Sequence, residues 1–75
     1  MEESKIKYSL YQTRTFEELK ELEERVISLQ SFFKTNTFNE LCGSERYDLR
    51  KQLKHMKKYR NVLAHRVSVI KYNNK

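Results

Sequence analysis

The sequence predicts an all-α fold: an antiparallel two-helix hairpin with an N-terminal arm, assembled into a helical-bundle oligomer. Three observations lead there. First, Leu19, Leu22, Val26, Leu29 and Phe33 step by three and four in turn, and so do Leu49, Leu53, Met56, Arg60, Leu63, Val67 and Ile70. That alternation marks the seam of a helix that packs on another helix. Second, there is no Pro, and the one Gly lies between the two seams. Sandwiches and barrels need more turn residues than that. Third, a chain of 75 residues buries only a small core, so self-association is expected.

The elements follow in order within a single domain. Residues 1–14 lack helical periodicity and form the arm. Ile6, Tyr8 and Leu10 alternate, as in a short extended segment, and Tyr11 adds another large side chain. Such an arm is expected to pack on the helices or on a neighbouring subunit. The first helix is expected over 15–34. Thr15 would cap it, with Glu18 reaching back from three residues on and Glu17 and Glu21 near the positive end of the helix dipole. Residues 35–43, TNTFNELCG, form the connection, anchored by Phe38 and Leu41. Cys42 has no base beside it in sequence and is expected to be a small packing residue in a reducing compartment. The second helix is expected over 44–71, capped by Ser44, with Glu45 and Asp48 in its first turn. Residues 72–75 are expected to fray.

The formal net charge is +6, and its distribution is uneven. Residues 44–71 hold nine bases against two acids, whereas residues 15–34 hold five acids against three bases. The surplus can draw in a polyanion, or the two helices can attract each other. The bases spiral around the second helix and do not form one stripe. That pattern weakly supports sequence-specific DNA reading, which concentrates Asn, Gln and Arg on one side. No apolar run approaches the ~20 residues that span a bilayer. The chain is expected to be cytoplasmic, without a membrane partner.

Candidate chemistry is sparse. His55 and His65 are ten apart and Cys42 lies in the connection, so no metal is expected. There is no Gly-rich phosphate loop, and no cofactor is expected. Arg60-Asn61-Val62-Leu63-Ala64-His65 resembles the Arg-x4–6-His signature of HEPN ribonucleases, which implies RNA cleavage by Arg60 and His65. That family's domain is a larger bundle than this chain can form, so the ribonuclease stands as an alternative and a non-enzyme is expected.

The more informative feature is a mixed row beside the second seam: Gln52, Met56, Tyr59, Leu63, Arg66 and Ile70. An arginine or glutamine turned inward costs free energy unless a partner answers it. One answer is a pair between the helices, with Glu18 or Glu23 facing Arg60. The other is an anionic ligand at a junction between subunits. Arg60 and Arg66 would hold the phosphate, Tyr59 would stack on a flat group, and Lys57 and Gln52 would assist.

The Leu-rich helix ending in Phe32-Phe33, the connection with Phe38 and Leu41, and then Leu49, Gln52, Met56, Tyr59, Leu63 and Arg66 form a longer pattern. It resembles a family of small helical proteins of tailed phages, crAss-like phages included, and the likeness covers most of residues 15–67. The resemblance implies a phage accessory protein. In outline the chain is also similar to phage cyclic-oligonucleotide sponge proteins. That likeness implies a homo-oligomer that sequesters a nucleotide-derived immune signal of the host. The alternative partner is a host protein or nucleic-acid complex, blocked by a helical adaptor.

Overall fold

The computed structural model describes residues 8–73. The expectations for Ile6 and the rest of residues 1–7, and for residues 74 and 75, lie outside them. Three helices follow in order: α1 Leu10–Phe32, α2 Asn36–Glu40 and α3 Gly43–Asn73. About nine-tenths of the described residues are helical, and no strand occurs among them. α1 and α3 lie side by side and antiparallel, with the five-residue α2 at the turn. The smallest dimension is 16 Å. Two long helices packed side by side make the hairpin one layer thick.

α1 starts earlier than the expected Thr15. Ser9 is its cap. The Ser9 hydroxyl accepts from the Gln12 backbone N–H at 3.1 Å, and the Gln12 side chain accepts from the Ser9 N–H at 2.9 Å. This capping box satisfies two early donors at once. Tyr8, just outside, sets its ring edge-on against Phe16 at 4.7 Å. Thr15 is therefore interior. It is 2% exposed, and its hydroxyl donates to the Tyr11 carbonyl at 3.0 Å. The Ser9 box wins because it brings Tyr8 onto Phe16, where a start at Thr15 would leave residues 10–14 without backbone partners.

Both seams hold. Leu22, Val26, Leu53 and Leu63 are buried, and Leu19, Leu29, Phe33, Leu49, Met56, Arg60, Val67 and Ile70 are half-buried beside them. At the turn Phe38 plugs the hairpin's end. It lies edge-on to Phe32 at 5.9 Å and tilted against Phe33 at 4.7 Å, with the Arg50 guanidinium 5.4 Å over its ring. Thr35 caps α2, accepting from the Phe38 N–H. Arg46 ties the connection to α3 by donating to the carbonyls of Asn39 and Leu41 at 2.9 and 3.1 Å.

α3 begins at Gly43, one residue before the expected cap Ser44, and runs through Tyr72 to Asn73. The Cys42 carbonyl accepts the Arg46 N–H, so Ser44 already lies in the first turn. Cys42 is exposed, not packed, and its thiol donates to the Glu45 carboxylate at 3.6 Å. Gly43 has a negative φ, and a Cβ there would meet nothing within 4 Å. Gly43→Ala should thus stabilise the fold by about 0.4–1 kcal/mol, mainly by restricting the unfolded chain. A urea midpoint that fails to rise would contradict this. Among the described residues no helix is long and apolar enough to cross a membrane.

Candidate functional site

The polar row of α3 lies at an edge of the hairpin, not inside it. Gln52, Tyr59 and Arg66 are seven residues apart, and seven residues are close to two helical turns. They therefore share one flank of α3. Opposite them on α1 stand Arg25, Glu18 and Tyr11, also seven apart and in reverse order. Antiparallel helices bring such positions into register. The three pairs form rungs along one face of the hairpin.

At the open end, Arg66 donates to the Tyr11 hydroxyl, and its guanidinium carbon lies 5.5 Å over the Tyr11 ring. The cation is half-buried, and an aromatic face holds it. In the middle, the Tyr59 hydroxyl donates to Glu18. Near the turn, Arg25 and Gln52 line a groove of about 560 Å³ with Glu21, Glu24, Ser28, Leu29 and Met56. The Gln52 amide points a weak donor at the Met56 sulfur, 3.8 Å away.

Glu18 was one expected partner for Arg60, but it serves Tyr59 instead. The Arg60 guanidinium meets its neighbour Asn61 at 3.4 Å. Six residues separate Arg60 from Arg66, which puts them about 120° apart around α3. Lys57 lies on the Arg60 flank. Within one chain, then, Gln52, Tyr59 and Arg66 share one flank of α3, spread over about 21 Å by the helical rise, while Arg60 and Lys57 lie to the other side of the helix. Arg60 and His65 are about 140° apart by the same count. Tyr11 and Arg25 are the residues that sequence reasoning missed. Their signal was the heptad 11-18-25 facing 52-59-66, which is meaningful only once the register of the hairpin is known.

The Tyr59 hydroxyl is held above its ordinary pKa of 10.0. The hydrogen bond it donates to Glu18 is the main cause. Desolvation and the carboxylate's negative charge act the same way, and the Arg66 charge opposes them. A raised pKa on a group that is neutral when protonated stabilises the fold fully below about pH 10 and loses that contribution as pH rises through the folded value. In a tyrosinate absorbance titration, one tyrosine should ionise later than the others, and Tyr59→Phe should remove that late step. Ionisation of all five tyrosines in one step would contradict the bond.

Among the described residues no group of three His, Cys, Asp or Glu side chains could hold a metal ion. The face offers two guanidiniums, two phenols, an amide and the Glu18 carboxylate, a set that can bind a polar ligand by stacking and hydrogen bonds.

A family model described as Sequestin matches residues 9–69, from the cap of α1 to the last turns of α3. The chain belongs to the Sequestin family. The Sequestin match encloses all three rungs, Tyr11 to Arg66 included. No curated protein and no solved structure matches the chain.

Proposed function

We propose that this Sequestin-family chain is a phage accessory protein that sequesters a nucleotide-derived immune signal of the host and binds it without chemical change. The family name, which speaks of sequestration, supports the reading. The observation that supports the reading is Arg66 held on Tyr11, with Tyr59 two turns away on the same flank and bonded to Glu18. A phosphate would replace the Tyr11 hydroxyl as the acceptor of Arg66, an ion pair in place of a bond to a neutral acceptor. Tyr59 presents a flat ring to a base about two helical turns from Arg66 on the same flank. Glu18 and Glu21 repel anions, so the phosphate belongs at the Arg66 end. Arg60 and Lys57 take no part in this seat.

The test is thermal denaturation against a panel of cyclic di- and trinucleotides and ADP-ribose derivatives. One class should raise the melting temperature saturably, as a ligand that binds only the folded state must. No shift with any member would remove the reading and favour the adaptor, which predicts co-purification with a macromolecule. The ribonuclease alternative requires RNA cleavage that His65→Ala abolishes.

A further inference from the structure

We propose that the outer face of α3, along Tyr47, Lys51, Lys54 and Lys58, binds single-stranded nucleic acid without reading its sequence. These four residues step four, three and four, so they share one line along the helix, about 16 Å long. All four are exposed, Tyr47 to 63%. Nine residues separate Lys54 from Leu63, which places the two on opposite sides of α3. Leu63 is buried in the seam, so the line faces away from α1 and its glutamates. Attraction between the two helices therefore leaves these three charges unanswered. Asp48 borders the line beside Lys51, and residues 49–75 contain no acid.

The occupant follows from charge and from one ring. At the end of the line nearest the turn, Tyr47, Arg50, Lys51, Lys54 and His55 enclose a groove of about 370 Å³, and no acid lines it. Arg50 is anchored there, its guanidinium 5.4 Å over the Phe38 ring. A single strand needs both features: cations that follow its phosphates and an aromatic face that stacks on a base, whichever base it is. Other anions fit less well. A duplex keeps its base faces inside its own stack and offers none to Tyr47. A free mononucleotide fills the groove but leaves Lys58, one turn beyond Lys54, without a phosphate. An acidic peptide answers the lysines and gives Tyr47 no base to stack on. Three flexible lysines fix no hydrogen-bond pattern against base edges, so sequence is not read. Lys58 and Tyr59 are consecutive, about 100° apart around α3, so this face is separate from the Arg66–Tyr11 seat and does not rest on the proposed function.

Fluorescence anisotropy of the full chain with a fluorescein-labelled single strand of mixed sequence, over a series of salt concentrations, tests this. Affinity should fall with salt at a log–log slope of about −3, as Arg50, Lys51, Lys54 and Lys58 on four phosphates require. Lys54→Ala should flatten that slope by about 0.7. Tyr47→Ala should weaken binding roughly 5–150-fold, the loss of one stacked base, and leave the slope unchanged. Lys20→Ala, on the exposed surface of α1, should change neither measurably. All three positions are exposed within helices, and alanine favours a helix, so each variant should keep the fold. Absence of binding at low salt overturns the proposal. So does a duplex or a mononucleotide that binds as tightly as the strand, or a loss with Lys20→Ala equal to that with Lys54→Ala. Displacement of the strand by polyglutamate at equal charge would give the face to acidic protein and overturn it too. Lys54→Ala should keep any nucleotide-induced thermal shift, so a failure here and a failure of the proposed function show separately.

Discussion

Leu63→Ala is expected to leave the chain largely unfolded at 25 °C. Leu63 is 0% exposed, the most buried residue of the α3 seam. Truncating a buried leucine removes its transfer free energy and leaves a cavity, at a cost of about 2–5 kcal/mol. A core of this size supplies only about 3–5 kcal/mol of net stability. The two figures overlap, so one truncation can consume the whole margin. Circular dichroism at 222 nm should show most of the helical signal lost, at the same chain concentration as the wild type. Leu49→Ala, at a half-buried position nearer the turn, should cost less. Equal urea midpoints for the wild type and Leu63→Ala would mean that the α1–α3 seam does not hold the fold.

Arg66→Ala is expected to abolish most of the nucleotide-induced thermal shift. A hydrogen bond to a charged group contributes about 1.5–3 kcal/mol, which corresponds to roughly 10–150-fold in affinity. The fold itself should barely change, because Arg66 is half-buried and bonds only at the edge of the hairpin. Arg66→Lys should recover part of the affinity, since it keeps the charge and loses the planar fork. Arg60→Ala is the control. Arg60 lies on the other face and bonds only to Asn61, so its loss should change nucleotide affinity less than twofold or so. Titration calorimetry reads all three variants. An Arg60→Ala loss equal to that of Arg66→Ala would move the seat to the other face.

The parts of this fold legible in the sequence are those governed by period. Every residue assigned to the α3 seam, from Leu49 to Ile70, is buried or half-buried, because a helix that packs along its length must repeat its apolar face. The start of α1 was not legible. Thr15-Phe16-Glu17-Glu18 and Ser9-Leu10-Tyr11-Gln12 both offer a hydroxyl followed three residues on by Glu or Gln. Choosing between them requires knowing that Tyr8 reaches Phe16. The candidate site was half legible. Gln52, Tyr59 and Arg66 follow from their spacing on one helix. Their partners Tyr11, Glu18 and Arg25 depend on how far the turn at 33–42 offsets the two helices, and that offset is set by Phe38 packing on Phe32 and Phe33 and by Arg46 bonding to Asn39 and Leu41. Arg60 belongs to the α3 seam, and the helical angle sets it about 120° from Arg66 within one chain.

Capture without chemistry is the claim on which the rest depends, and the fate of the ligand tests it most directly. The nucleotide class that shifts the melting temperature would be held with excess protein until no free ligand remains. The protein would then be denatured by heat and the supernatant resolved by chromatography and mass spectrometry. The account predicts full recovery of the same, unmodified nucleotide. A shorter, hydrolysed or linearised product in its place would contradict it and make the chain an enzyme.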